Sequence, residues 1–130
     1  MTSAPKPPAT EPAIRVVTMP RDTNAQGTIF GGVILSLIDQ AAYVEALRQS
    51  HHRYVTVAVR EVEFHQPVFV GDVLSLYATT LHVGRTSVTV RVRVTAARRE
   101  TADTVVPVTE AEVILVATDD SGSPIPVFAG

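Results

Sequence analysis

The chain has no cysteine among its 130 residues, and it has no long uninterrupted apolar run. Without cysteine, disulfides, thiolate metal sites and a cysteine nucleophile are excluded, so any metal site would depend on the four histidines. A reducing, cytoplasmic location is therefore expected. The longest mostly apolar segment, 33–47, is interrupted by Asp39, Gln40 and Glu45. It is too short to cross a bilayer, and we expect no membrane insertion.

Charge and length limit the remaining classes of protein. Eleven Lys and Arg against 13 Asp and Glu give a formal charge of −2, so the chain lacks the basic field that nucleic-acid binding usually needs. With 130 residues, 45% of them hydrophobic, it is long enough for one well-cored domain. Proline is dense in residues 1–13, which predicts a disordered tail rather than a signal peptide. We assign 14–119 to the domain and 120–130 to a C-terminal tail.

The hydrophobic period changes after residue 50, which separates one helix from a run of strands. Residues 33–49 contain no Gly or Pro and are rich in Leu and Ala, as expected for a helix of four to five turns. The later segments are rich in β-branched residues and alternate in places with period two. These segments predict four long strands in meander order, at 53–65, 72–83, 86–96 and 108–119, with a fifth strand at 13–19.

The predicted helix raises a packing problem because its apolar side chains lie almost all round it while Asp39 stands in its middle. A buried charge is costly unless it is paired, hydrogen-bonded or used in chemistry. Such a helix must be enclosed, and an antiparallel sheet curled around it is one of few ways to do so. The sequence therefore predicts an α+β domain of one central helix and about five strands.

Three blocks of the sequence resemble a known family. "DTNAQGTIFGGVILSLIDQAA", "VTVAVREVEFHQPVFVGDVL" and "VGRTSVTVRVRV" are similar to the hotdog-fold acyl-CoA thioesterases, closest to the YciA-like and brain-type acyl-CoA hydrolases. The resemblance implies a single hotdog domain that hydrolyses acyl-CoA to a free carboxylic acid and coenzyme A without a cofactor. It also implies protomers that join their sheets edge to edge as dimers, dimers that often form hexamers, and active sites between two subunits.

The chemistry of thioester hydrolysis fits the first block. Gly31 and Gly32 stand where the helix begins, so their N–H groups and the helix dipole could hold the carbonyl oxygen as it gains negative charge. Asp39 follows two turns later, and the resemblance implies that it either activates water or attacks the thioester directly. The family resemblance also implies that Asn24 orients the carbonyl or the water from the neighbouring subunit. Taken singly, the glycines could be a tight helix entry and Asn24 a turn residue.

A second polar segment could bind the coenzyme A portion of the substrate. Gly84, Arg85, Thr86 and Ser87 offer backbone N–H groups, a cation and two hydroxyls to the pantetheine arm and phosphates. The simpler alternative is a hairpin turn with a solvated arginine. One departure from the family is Arg60, since brain-type relatives tend to carry an acidic residue there. This difference bears on fine substrate contacts rather than on the reaction.

The four histidines do not stand at metal-ligand spacing in the sequence. His51 and His52 follow the helix and are expected to be solvated, and His65 and His82 are interpreted as structural because no carboxylate or second histidine stands at ligand spacing. We therefore expect no metal site.

Hotdog dehydratases place a histidine before the helix, and none precedes Asp39. A non-catalytic acyl-CoA sensor would keep the pocket but usually lose the carboxylate, which is retained here.

Overall fold

The computed structural model describes residues 5–99, 101 and 104–129. Residues 1–4 of the predicted disordered tail lie outside the described part of the chain. A short 3₁₀ turn, Pro20–Asp22, precedes the helix. No helix within the described ranges is long and apolar enough to cross a membrane. The main elements are β1 (Ile14–Val17), α1 (Gly31–Gln49), β2 (Arg53–Phe64), β3 (Val73–Val83), β4 (Ser87–Ala97) and β5 (Val105–Thr118).

The five strands form one antiparallel sheet in the order β1-β3-β4-β5-β2. The number of strands and the single helix are as predicted, but the meander order is wrong for β2. Only β3, β4 and β5 follow one another as neighbours, whereas β2 pairs with β5, from Arg53 opposite Thr118 to Phe64 opposite Thr109. The chain enters β2 after crossing the sheet as α1, so β1 and β2 occupy opposite edges. The second edge of β2 is left without a strand partner within the described chain.

The core lies between one face of this sheet and one face of α1. Strand β4 alternates as predicted, since its four valines are buried and Arg91 and Arg93 point to the other face. From the helix, side chains spaced three and four residues apart pack against them, which is the period of one helix face. The core residues of these two elements are Val88, Val90, Val92, Val94, Ala96, Ile34, Ile38, Ala41, Ala42 and Ala46.

The opposite side of the helix is not covered within one chain. Tyr43 and Val44 remain 40% and 42% exposed, so the predicted enclosure of the helix on all sides is wrong for the isolated protomer. Strand β2 likewise exposes Val55, Val57 and Val59 beside its free edge. Exposed large apolar side chains beside an unpaired strand edge are typical of a protein interface.

Two irregularities interrupt the pairing of β2 with β5, a register shift between Thr56 and Ala58 and a β-bulge between Arg60 and Glu63. Glu61 within this bulge has φ of 53°, in the left-handed region that a non-glycine residue rarely adopts. Because one extra residue is inserted, Val62 packs toward the core while Glu63 follows Arg60 onto the outer face of the sheet, away from α1. The bulge thus changes which residues of β2 share a face.

The segment after β5, assigned to a tail from the sequence, packs against the domain over its described residues. Ile125 N–H donates to Ala117 O, Val127 N–H donates to Arg85 O, and the Val127 side chain is buried. The N-terminal segment also makes contacts, since the N–H of Lys6 donates to Gln49 Oε1 at 2.6 Å.

Candidate active site

Asp39 lies on the side of α1 that faces β2, at an open cleft. It is half-buried, and its carboxylate accepts a hydrogen bond of 2.5 Å from the Thr56 hydroxyl. The cleft has a volume of about 710 Å³ and is bounded by α1, β2 and Ile14 of β1. The sequence predicted a buried charge at this position, and the structure instead gives a carboxylate that solvent can reach. The cleft residues are Ile14, Asp39, Gln40, Tyr43, Val44, Tyr54, Val55 and Thr56.

Thr56 was not identified from the sequence. Its hydroxyl orients the Asp39 carboxylate, and a hydrogen bond to a charged group contributes about 1.5–3 kcal/mol. The two residues are 17 positions apart and belong to different elements, so no local pattern connects them. Tyr54, the other polar side chain from β2 at this cleft, is not a competing base. Burial and the neighbouring Tyr43 raise the pKa of Tyr54 to about 12, so its phenol remains protonated near neutral pH.

We expect Thr56→Val to lower kcat about tenfold, because it leaves the carboxylate in place but removes the donor that orients it. Steady-state kinetics of both forms with one substrate measures the change. Thr89→Val, a similar change on β4 away from the cleft, is the matched control. Equal rates for the two variants would show that the Thr56 hydroxyl has no part in the reaction.

The glycine pair forms the first two residues of α1, two residues earlier than the predicted start. Val33 and Ile34 donate to Phe30 O, whereas the N–H groups of Gly31 and Gly32 have no hydrogen-bond acceptor in the described part of the chain. A side chain at Gly31 would meet the Phe64 ring at 3.4 Å, and the space beside Gly32 is open. Two free N–H groups at the positive end of a helix can hold an oxyanion.

Asp39 and the glycine pair of the same chain do not converge. Gly31 and Asp39 are eight residues apart on one helix, which corresponds to about 12 Å along the axis. A base and an oxyanion hole that serve one carbonyl must both lie about 3 Å from the reacting atoms. One chain therefore supplies these two groups to different places.

Asn24 is held in its own loop. Its Oδ1 accepts hydrogen bonds from the N–H groups of Gln26 and Thr28, and its Nδ2 donates to Thr28 Oγ1 at 2.8 Å. Gly27, with φ of 85°, closes the turn by donating to Asn24 O. Within one chain Asn24 thus acts as a turn residue, which is one of the two roles that the sequence left open. Among the described residues its side chain makes no hydrogen bond to Asp39. One Nδ2 hydrogen remains for a ligand.

The segment Gly84–Ser87 forms the tight turn between β3 and β4, with Gly84 N–H donating to Ser87 O at 2.8 Å and the Arg85 side chain exposed. Through β5, the register brings Ser87 of β4 to within one residue of the level of Thr56 on β2. The two residues are therefore separated by about two strand spacings, or about 10 Å. Phe64, whose ring lies beside Gly31, is seven residues from the level of Ser87 along the strand direction, which corresponds to about 24 Å. The turn is therefore nearer to Asp39 than to the glycine pair of its own chain.

The deeply buried carboxylate of the helix is Glu45, which the sequence analysis did not single out as a site residue. It is 3% exposed and accepts hydrogen bonds from Arg48, Gln49 and Thr80. Burial by itself raises the pKa of Glu45, but the hydrogen bonds from Arg48, Thr80 and Gln49 outweigh it and hold the pKa below its usual value. Because both of its oxygens accept hydrogen bonds from side chains of the same chain, this buried carboxylate supports the fold.

We expect Glu45→Gln to lower the free energy of unfolding by about 2 kcal/mol at pH 7, since an amide cannot accept all four hydrogen bonds. The pKa of Glu45 is depressed in the folded state, so its stabilising effect is complete above its unfolded value of about 4.3 and is lost as pH falls. Urea unfolding at pH 7 and pH 3.5, at one protein concentration, tests both points. A difference from wild type that is equally large at pH 3.5 would contradict this role.

The histidines differ from expectation in two places. His52 is not simply solvated, because its ring Nε2 lies 2.7 Å from Val127 O. His65 does have carboxylates nearby, and its Nε2 is 3.5 Å from Glu63 and 3.6 Å from Glu110. The statement that no carboxylate lies at ligand spacing from His65 is therefore wrong. Arg60, the departure from the brain-type pattern, lies on the outer face and pairs with Glu112 at 3.1 Å.

A five-stranded antiparallel sheet packed on one long central helix is the hotdog fold. The family model of the Thioesterase superfamily matches residues 26–102. The chain belongs to this superfamily and, within it, to the family of YciA acyl-CoA thioester hydrolases.

Two relatives support this assignment. The YciA acyl-CoA thioester hydrolase of Salmonella typhimurium is 38% identical over 129 residues, covering 98% of this chain and 97% of its own length. An uncharacterized acyl-CoA thioester hydrolase of Zymomonas mobilis is 53% identical over 90 residues, covering 69% of this chain. The match spans only 60% of the Zymomonas protein.

Solved structures show the same fold. A hexameric hotdog fold thioesterase of Campylobacter jejuni has a TM-score of 0.85 and 42% identity, with 89% of each chain covered. The acyl-CoA hydrolase of Staphylococcus aureus was solved as an aspartate-to-alanine and a threonine-to-alanine mutant. Both of these match with a TM-score of 0.78 and 26% identity, over 87% of this chain and 69% of the other.

Proposed function

We propose that the chain hydrolyses acyl-CoA to a carboxylic acid and coenzyme A, with Asp39 as the reacting carboxylate. The observation that carries this proposal is the Asp39 carboxylate, oriented by Thr56 at an open cleft. Asp39 either removes a proton from the attacking water or attacks the thioester itself, in which case water then releases the acid. The mutated aspartate and threonine of the Staphylococcus enzyme are 17 positions apart, the same spacing as Asp39 and Thr56.

The oxyanion formed in the reaction is held by the N–H groups of Gly31 and Gly32. Because these groups lie about 12 Å along the helix from Asp39 of their own chain, they serve the Asp39 of a second protomer. Asn24 precedes the same helix start and belongs to the same half of the site. The complete site therefore combines Asn24 and the glycine pair of one protomer with Asp39 of the other.

The protomers pair through the free edge of β2 and the uncovered side of α1. An unpaired strand edge flanked by apolar side chains is a template for pairing with a second copy, and a two-fold axis would bring both helices together. The exposed valines of β2 and the exposed Tyr43 and Val44 support this contact surface. Dimers then assemble as trimers of dimers, as the hexameric Campylobacter relative suggests.

The turn Gly84–Ser87 binds the phosphates of coenzyme A. Arg85→Ala should then raise KM about fivefold and leave kcat nearly unchanged, because a contact made equally in ground and transition state is lost. It should also reduce discrimination against acyl-pantetheine, which lacks the nucleotide. Arg93→Ala, on the outer face of β4, is the control. An unchanged KM ratio between the two substrates would move the nucleotide site elsewhere.

Hydrolysis of short, medium, long and aromatic acyl-CoAs by the purified chain tests the proposed function. We expect turnover of at least one class with release of a free thiol, in buffer containing a chelator, because the proposed chemistry uses only side chains and water. Tight binding of acyl-CoA without turnover would contradict the hydrolase and support the sensor. A cytoplasmic location and independence from any cofactor remain predictions.

A further inference from the structure

Three side chains with metal-binding atoms meet on the outer face of the sheet, on the side away from α1 and Asp39. Glu63 lies on β2, His65 follows it by two residues, and Glu110 lies on β5. Glu63 and His65 share a face because they are two residues apart, and beyond the bulge at Glu61 the register places Glu63 opposite Glu110.

The distances within this group suit a shared cation better than direct hydrogen bonds. His65 Nε2 lies 3.5 Å from Glu63 Oε2 and 3.6 Å from Glu110 Oε2, and all three ligand atoms lie within 4.8 Å of one another. A hydrogen bond between such atoms would be about 2.7–3.2 Å long. Ligand atoms about 2.0–2.2 Å from a tetrahedral Zn²⁺ lie about 3.3–3.6 Å from each other. The two measured distances fall in that range.

The charges around the group also favour a cation. Glu63 and Glu110 are directly opposite in the register, and like charges in that position destabilise a strand pair. Arg91 approaches Glu110 through the other oxygen, Oε1, at 3.8 Å, so Oε2 remains directed at His65. The surrounding ion pairs join Arg60 and Arg91 to Glu61, Glu110 and Glu112. With Glu63, four carboxylates on this face stand against three guanidinium groups, because Arg93 lies opposite Glu110 in the register.

We propose that Glu63, His65 and Glu110 form a binding site for a first-row divalent cation such as Zn²⁺. One imidazole nitrogen and two carboxylate oxygens would hold the ion, and water would complete its coordination. The ion links β2 to β5 beyond the bulge, next to Phe64, whose ring touches Gly31. Its role is to fix this end of β2, and it takes no part in the hydrolysis at Asp39 on the other face.

Zn²⁺ titration of the chain without a histidine tag tests this site. The absence of cysteine removes the usual background of thiolate binding. We expect isothermal titration calorimetry to give one Zn²⁺ per chain with micromolar affinity, and Co²⁺ to give the visible absorption of a four-coordinate ion. Saturating Zn²⁺ should raise Tm by several degrees, since binding to the native state stabilises it.

The variants His65→Gln and Glu110→Gln should each weaken binding at least tenfold and abolish the Tm increase. The controls His82→Gln and His51→Gln, which change exposed histidines outside the group, should bind Zn²⁺ like wild type. If either test variant fails to fold, Glu63→Gln, which changes an exposed side chain, gives the same comparison. Binding weaker than millimolar, or binding that the test variants leave unchanged, would overturn the proposal.

Discussion

Asp39→Asn is expected to lower kcat by about two to four orders of magnitude, the range for loss of a general base, while leaving the fold intact. The amide has nearly the same volume and can still accept the hydrogen bond from Thr56. What it loses is the negative charge that removes a proton from water or attacks the thioester. Because Asp39 is only half-buried and packs no core residue, the free energy of unfolding should change little.

The measurement is steady-state hydrolysis of the best acyl-CoA substrate by both forms, with Asp120→Asn as control. Asp120 has a fully exposed carboxylate, so its variant should keep wild-type activity. Glu45→Gln removes a carboxylate that lies on the same helix but serves the fold. Comparing it with Asp39→Asn shows whether a loss of activity depends on the charge at the cleft or on any charge of the helix. Activity of Asp39→Asn within a factor of three of wild type would remove Asp39 from the mechanism.

The parts of the fold that depend on local pattern could be predicted from the sequence. The alternation of Val88 to Val94 identified the buried face of β4, and the Gly-free and Pro-free segment identified α1. The position of β2 could not be predicted in this way. Its residues favour a strand beside any neighbour, and its pairing with β5 depends on contacts about fifty residues apart in sequence.

For the candidate site, the sequence shows the spacing within one helix but not the contacts between elements. The carboxylate and the glycine pair lie on one helix, and their spacing was visible in the sequence. Thr56 comes from another element. The structural role of Glu45, which sets it apart from Asp39, became visible only from its hydrogen bond with Thr80, which is 35 positions away. The sequence also predicted a buried Asp39, because an apolar helix suggests enclosure whether the cover comes from its own chain or a second one.

Glu63 and His65 are two residues apart, so their shared face could have been seen in the sequence, whereas the bulge in β2 hid their position relative to Arg60 and Glu110. With regular alternation, Arg60 and Glu63 would lie on opposite faces of the strand. The extra residue at Glu61 brings them to the same face and places His65 beside Glu110. A single inserted residue with φ of 53° has no clear signature in a sequence rich in β-branched and charged residues.

The central claim is that each site is shared between two chains, and mixed refolding of two inactive variants tests it most directly. Asn24→Ala removes the contribution of one protomer, and Asp39→Asn removes that of the other. Unfolded together and refolded, the chains pair at random, so half of the dimers are heterodimers. Each heterodimer has one site with both residues intact and one site with neither.

The account predicts recovery of about one quarter of wild-type activity per site, provided that the variants pair as well as wild type and sites act independently. If Asn24 and Asp39 served one site within the same chain, every site would keep one lesion and nothing would be recovered. Mass spectrometry of the refolded mixture confirms the heterodimers. A mixture that contains them but is no more active than the mean of the two separately refolded variants would contradict the shared site.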